Sequence, residues 1–160
     1  MYEKEITLIE QMYPEILATT EKLTSFERGS KNLNGLKETA NYLSELLIEQ
    51  GCEVDRYSDC IYGDTIVARK LGKGKIKILM YAHMDTVWPE GSTKEMPFRI
   101  EGNHAYGAGV SDCTQGLLAT IYTLKTLNNI GFEDYAEIII VFNPDEELTS
   151  PSSTKWLDKY

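Results

Sequence analysis

Histidine is scarce in this sequence: 160 residues hold only His83 and His104. Any chemistry that needs an imidazole has two places to find one. Cysteine is nearly as rare. Cys52, Cys60 and Cys113 are odd in number and lack Cys-x-x-Cys spacing, which points to reduced thiols and a cytoplasmic protein and away from a disulfide framework. Beside Asp112, Cys113 reads as a buried packing residue before anything chemical. Basic residues are also short, 16 against 25 acids, for a net charge of −9. That argues against a nucleic-acid partner or an anionic membrane surface. No run approaches the ~20 apolar residues of a membrane span. The start, Met1-Tyr2-Glu3-Lys4-Glu5, lacks the basic and apolar regions of a secretory signal. Repeats, low-complexity tracts and linkers are missing too, so no domain boundary is visible.

What remains is an ordinary globular composition, 42% hydrophobic and 26% charged. Its length suits one domain with a real core. Ile6, Ile9, Met12, Ile16, Leu17 and Leu23 predict a helix over 3–25, with Pro14 as a kink or restart. Ser25 to Gly35 is polar and reads as a loop. A second helix fits 35–50, stopped by Gly51. Strands follow at 52–57 and 65–70, and Gly72-Lys73-Gly74 makes a turn. Phe98 to Glu101 and His104 to Tyr106 flank Gly102-Asn103 as a small hairpin, with His104 a solvated residue on its flank. A helix over about 114–129, a strand over 136–142 and the start of a helix near Ser152 complete the pattern. Helices alternating with strands predict an α/β fold with a mostly parallel, helix-covered sheet.

The stretch from Ile76 to Val87 organises the rest. Its first half is apolar and β-favouring, which reads as a strand buried on both faces. It ends in His83-Met84-Asp85, an imidazole two residues from a carboxylate that can hold its other nitrogen. In open α/β sheets ligands bind outside the carboxyl ends of strands. Two more such ends carry acids. Gly107-Ala108-Gly109-Val110-Ser111-Asp112 lacks the third glycine of a dinucleotide loop and instead puts a carboxylate at a sharp corner. Asn143-Pro144-Asp145-Glu146-Glu147 sets three acids at the end of an apolar strand, where they would repel one another. Singly each is a weak signal, and an acidic surface turn explains the last one slightly better when it is taken alone. Together, one imidazole and several carboxylates suit a pair of zinc ions bridged by a carboxylate and a water. Adjacent Glu146 and Glu147 then make sense if one binds metal and the other moves protons.

These three motifs, in this order, resemble the zinc metallopeptidase family of acetylornithine deacetylase, succinyl-diaminopimelate desuccinylase, aminoacylase and glutamate carboxypeptidase. Pro97-Phe98-Arg99-Ile100-Glu101-Gly102 and Ala105-Tyr106-Gly107 are most similar to the glutamate carboxypeptidase branch. The resemblance runs from about residue 15 to the end. It implies a three-layer αβα catalytic domain and hydrolysis of amide bonds in peptides or N-acylamino acids, in a full-length protein that forms a homodimer. It further implies that His83 binds one zinc, Asp112 bridges two, and Glu147 is a ligand. Glu146 is then the general base that deprotonates the metal-bridging water, and Asp85 the partner of His83. Cobalt or manganese could substitute for zinc. A non-proline cis peptide is expected at Asp112–Cys113.

The chain departs from the family pattern at two places. Many relatives read Asp-x-Lys-Gly-Gly where this chain has Asp112-Cys113-Thr114-Gln115-Gly116, so the lysine and first glycine are replaced. The family's remaining carboxylate and histidine ligands fall beyond Tyr160 in its longer members. The expectation is therefore a truncated N-terminal portion of the catalytic domain, without the lid and dimerisation domain and inactive alone. The alternative is a non-catalytic binding or assembly module that retains the fold.

Overall fold

The sheet is built from four segments, two of which carry the continuous apolar runs Ile78–Met80 and Ile138–Phe142, and its shape follows from how they are joined. A computed structural model describes residues 2–160. In chain order its elements are helices α1 (Glu3–Ser25) and α2 (Leu33–Glu49), then strands β1 (Glu53–Asp59), β2 (Gly63–Leu71) and β3 (Lys77–His83). After these come a short helix α3 (Ser92–Glu95), the hairpin β4 (Arg99–Glu101) and β5 (His104–Tyr106), helix α4 (Thr114–Ile130), strand β6 (Glu137–Asn143) and α5 (Thr154–Leu157). The helix and hairpin expectations hold within a few residues. Pro14 stands inside α1, which continues through it as one helix. Asn32 caps α2, its side chain accepting from the Gly35 N–H.

The main sheet has the order β1-β2-β6-β3. The expected α/β class holds, and the sheet is mixed: β6 runs parallel to β3, but β1–β2 and β2–β6 are antiparallel. A short turn between β1 and β2 allows only a hairpin, so parallel pairing is confined to the strands joined through α4. β6 slots between β2 and β3, and the Gly72–Gly74 turn wraps its start. Gly72 N–H donates to Ala136 O and Gly74 N–H to Tyr135 O. A Cβ at Gly72 would lie 2.2 Å from the Tyr135 carbonyl oxygen, so only glycine fits there.

One face of the sheet carries the main core. Ile66, Ala68, Ala82, Ile138, Ile140 and Phe142 pack against Leu43 and Leu47 of α2 and Leu117, Ile121 and Leu124 of α4, with α1 lying on α4. The opposite face, Val67, Ile139 and Val141, is covered by Trp156, Leu157 and Tyr160 of the α5 segment, and Trp156 stacks on Tyr57 at 3.7 Å. That segment is the third layer within these residues. β3 corrects one expectation. It is not buried on both faces but forms an edge of this sheet, with Ile78, Leu79 and Tyr81 40%, 44% and 42% exposed. An apolar run marks a strand but not its neighbours. Among the described residues no helix is long and apolar enough to cross a membrane.

Candidate metal centre

Parallel pairing of β3 with β6 puts their carboxyl ends side by side, His83 opposite Asn143. The chain beyond each strand then turns toward the other. Met84 N–H donates to Asn143 O at 2.7 Å. The acidic corner resolves its own repulsion by turning one acid inward. Asp145 is fully buried and accepts from Ser152 N–H (2.6 Å), Ser152 Oγ (2.8 Å) and Ser153 Oγ (2.5 Å). Glu146 and Glu147 occupy a single 3-10 turn on the outer side. Thr149 and Ser150 beyond it have φ 70° and 56°, a costly region for a β-branched residue. Backbone bonds hold them there, Thr149 N–H to Glu146 O and Ser150 N–H to Asp145 O, each 2.8 Å.

Asp85 ties the two strand ends together. It is fully buried, and its carboxylate accepts from Ser30 Oγ (2.7 Å), Glu146 N–H (3.1 Å) and Glu147 N–H (3.2 Å). It also lies 3.3 Å from His83 Nδ1, which is 3.0 Å from the Asp85 carbonyl oxygen. That occupies one side of the ring and turns Nε2 outward. Nε2 lies 2.9 Å from Asp112 Oδ1 and 3.9 Å from Glu146 Oε2. His83, Glu146 and Glu147 each offer a ligand atom within 4.8 Å of the others, as do His83, Asp112 and Cys113. So the structure brings together all five residues named from the sequence: His83, Asp85, Asp112, Glu146 and Glu147.

Asp112 arrives differently from expectation. It is not at an end of the main sheet but in the glycine-rich loop before α4, one residue ahead of the helix cap Cys113. The peptide between them is cis, as the resemblance implied. Cys113 is half-buried, with its sulfur within 4.8 Å of a His83 ring nitrogen in addition to its packing, and none of the three cysteines is paired. His104 stands exposed on β5, away from this cluster.

The electrostatics are those of a crowded acidic rim around one ring. Burial disfavours the His83 cation, but hydrogen bonds and charge from Asp85 and Cys113 outweigh it and push the imidazole up to about 11. Burial also acts to raise Asp85, yet its bonds to His83 and Ser30 hold it below the usual carboxylate range. The Cys113 thiol is lowered by its bond to His83, against burial. Glu147 is raised by burial and then by the charge of Asp112. Outward-facing carboxylates that repel one another around a fixed imidazole are a donor set that a hard or borderline divalent cation would neutralise. Beside Glu147 a cleft of about 470 Å³ opens between Lys31, Asn32, Trp88 and Leu148.

Sequence reasoning missed two members of this site. Ser30, which holds Asp85, and Arg28 both lie in the polar loop between α1 and α2, and no periodicity or motif marks them. The only signal was Gly29, which pairs as an isolated bridge with Thr86 where a Cβ would strike the Trp88 carbonyl oxygen at 2.4 Å.

Comparison with known proteins agrees with this geometry. Residues 79–159, from mid-β3 to the last helix, match the model of peptidase family M20/M25/M40. The chain belongs to this family. It is 38% identical over 139 residues to carboxypeptidase G2 of Pseudomonas sp. (strain RS-16), which covers 86% of this chain and 34% of that protein. In fold it is similar to human carnosine dipeptidase 1, with a TM-score of 0.85 at 17% identity over 98% of this chain and 37% of that one. An M20-family metallo-carboxypeptidase of Sulfolobus solfataricus matches with a TM-score of 0.76 at 22% identity, over 91% of this chain and 34% of that one. The chain thus spans about a third of the length of these relatives.

Proposed function

We propose that these residues supply most of the metal site of a zinc-dependent hydrolase that cleaves amide bonds in peptides or N-acylamino acids, in the manner of a glutamate carboxypeptidase. The observation that carries the reading is that Asp112 on one side and Glu146 and Glu147 on the other both gather around the outward-facing His83 Nε2, behind which Asp85 is locked. Family membership and the likeness to carboxypeptidase G2 support the same reading.

In this reading His83, Asp112 and Glu147 would hold the metal. Zinc bound there would supply Lewis acidity and lower the pKa of a water toward neutrality. Asp85 keeps the His83 ring oriented with Nε2 facing outward. Glu146, the more exposed of the two glutamates, takes the proton of the attacking water and returns it to the leaving amine. The cleft beside Glu147 receives the substrate, with Trp88 and Leu148 as apolar walls and Lys31 as a nearby cation.

On its own this chain offers one imidazole and a few carboxylates, an oxygen-rich set that holds zinc less firmly than a closed site of four protein ligands. The 160-residue chain is therefore expected to bind zinc weakly and, alone, to release no amine from N-acyl or C-terminal glutamyl substrates. Incubation with excess zinc and a panel of such substrates tests this. Zinc-dependent turnover abolished by Glu146→Gln would establish the mechanism and show the chain to be self-sufficient. In the longer enzyme, Glu146→Gln is expected to keep metal and substrate binding while kcat collapses. Near-normal turnover there would remove Glu146 from the mechanism.

A further inference from the structure

Arg28 is 2% exposed, in a loop where a solvated side chain would be expected. Its guanidinium meets three neutral oxygens from separate segments. Nη1 donates to Met84 O (2.9 Å), and Nη2 donates to Gly109 O (3.3 Å) and Thr114 Oγ1 (2.6 Å). Met84 lies between His83 and Asp85; Gly109 and Thr114 bracket Asp112. The packing around the group leaves no slack. Gly109 has φ +67°, and a Cβ there would stand 3.0 Å from Arg28 Nη2 and 2.6 Å from Thr86 Cγ2. Thr114 Oγ1 in turn donates to Gly109 O at 2.6 Å. The loop is fixed on its other side too, since Thr86 N–H donates to Arg28 O (2.9 Å) and Ser30 N–H to Thr86 O (3.2 Å).

We propose that Arg28 is the positioning residue of the metal centre: its buried positive charge locks the His83–Asp85 strand end to the Asp112 corner, and a cation at position 114 could replace it. The inference rests on the metal reading above. A buried cation is costly unless its charge is answered. Burial does lower Arg28, to about 10, while the nearby charges of Cys113 and Asp85 act to raise it. The forked bonds to three oxygens keep a cation tolerable in this place. Thr114 is fully buried with its hydroxyl on the guanidinium, so a long cationic side chain at 114 would reach the same space once Arg28 is shortened.

The test exchanges the two residues in this 160-residue chain. Zinc affinity is read by competition against a chelating dye, and melting is followed on the metal-free protein. R28M and R28T are each expected to weaken zinc ~10–100-fold, the range seen when a partner behind a ligand is removed. T114K alone forces two cations together and is expected to lower both melting temperature and zinc affinity. R28T/T114K, which combines two damaging changes, is expected to recover most of both. R28K, which keeps the charge without the fork, should fall between R28M and the unaltered chain, and serves if R28M does not fold. An exchange variant no better than R28T overturns the proposal. So does an R28M protein that melts earlier yet binds zinc as tightly as the unaltered chain, because Arg28 would then be a packing residue only. If the unaltered chain takes up no zinc, the metal reading fails instead, and recovery of melting by the exchange still decides the role of the charge.

Discussion

The two sides of the His83 ring are built on opposite terms. Behind Nδ1 lies a floor of Arg28, Ser30, Asp85 and Asp145, every one buried and hydrogen-bonded to defined partners. In front of Nε2 lies a rim of Asp112, Glu146 and Glu147, whose side chains face solvent or one another. Asp112 is 75% exposed and Glu146 45%. Acids of the same type thus do different work within a few residues. Asp145 and Asp85 are consumed in holding the corner together, which leaves the rim carboxylates free to meet a cation. Changes to the floor should cost stability as well as metal, and changes to the rim should cost metal or turnover alone.

The largest expected effect breaks the ring that divides the two sides. His83→Ala should weaken zinc by well over the ~100-fold upper range for partners behind a ligand. Metal stoichiometry after dialysis of the purified variant checks this. Asp85→Ala comes next. It is expected to weaken zinc ~10–100-fold and also to destabilise the metal-free chain by roughly 1–3 kcal/mol, because Ser30 Oγ and the Glu146 and Glu147 amides lose their acceptor. Chemical denaturation beside zinc competition separates the two losses. Asp145→Ala sharpens the comparison from within one tripeptide. It should cost a similar ~1–3 kcal/mol through Ser152 and Ser153. Glu146→Gln should instead leave stability within about 0.5 kcal/mol. Equal losses for the two would erase the distinction between floor and rim.

A smaller effect is one of pH. The metal-free His83 imidazole is raised from its ordinary 6.5 to about 11. The folded state therefore holds its proton more tightly than the unfolded chain does. The stability this gives is fully present below about 6.5 and is lost as pH rises toward 11. Asp85 runs the other way: lowered in the fold, it stabilises above its ordinary range and loses that contribution as acid protonates it. Denaturation of the metal-free chain between pH 6 and 10 should show the first slope, and His83→Asn should flatten it.

The rim was legible in the sequence because it rests on residue type and chain order. His83, Asp112, Glu146 and Glu147 each stand at the end of an apolar or glycine-rich stretch, and that is where α/β folds place ligands. The floor was much less so. Arg28 and Ser30 reach the site through a bridge between Gly29 and Thr86, a pairing far apart in the chain with no periodic signature. The division of labour inside Asp145-Glu146-Glu147 also had no local mark, since it depends on serines that follow five or more residues later. Strand direction was hidden for the same reason. β1 and β2 read as strands, but only β6 arriving between β2 and β3 decides that the sheet is mixed.

The most direct test of the central claim is a cobalt titration of this chain beside its His83→Ala, Glu147→Gln and Glu146→Gln variants, followed by visible absorption and reversed with zinc. The account predicts weak, saturable binding by the unaltered chain that Glu146→Gln leaves intact, Glu147→Gln weakens and His83→Ala abolishes. Unchanged binding by His83→Ala would contradict it outright, and loss with Glu146→Gln but not Glu147→Gln would exchange the roles of the two glutamates.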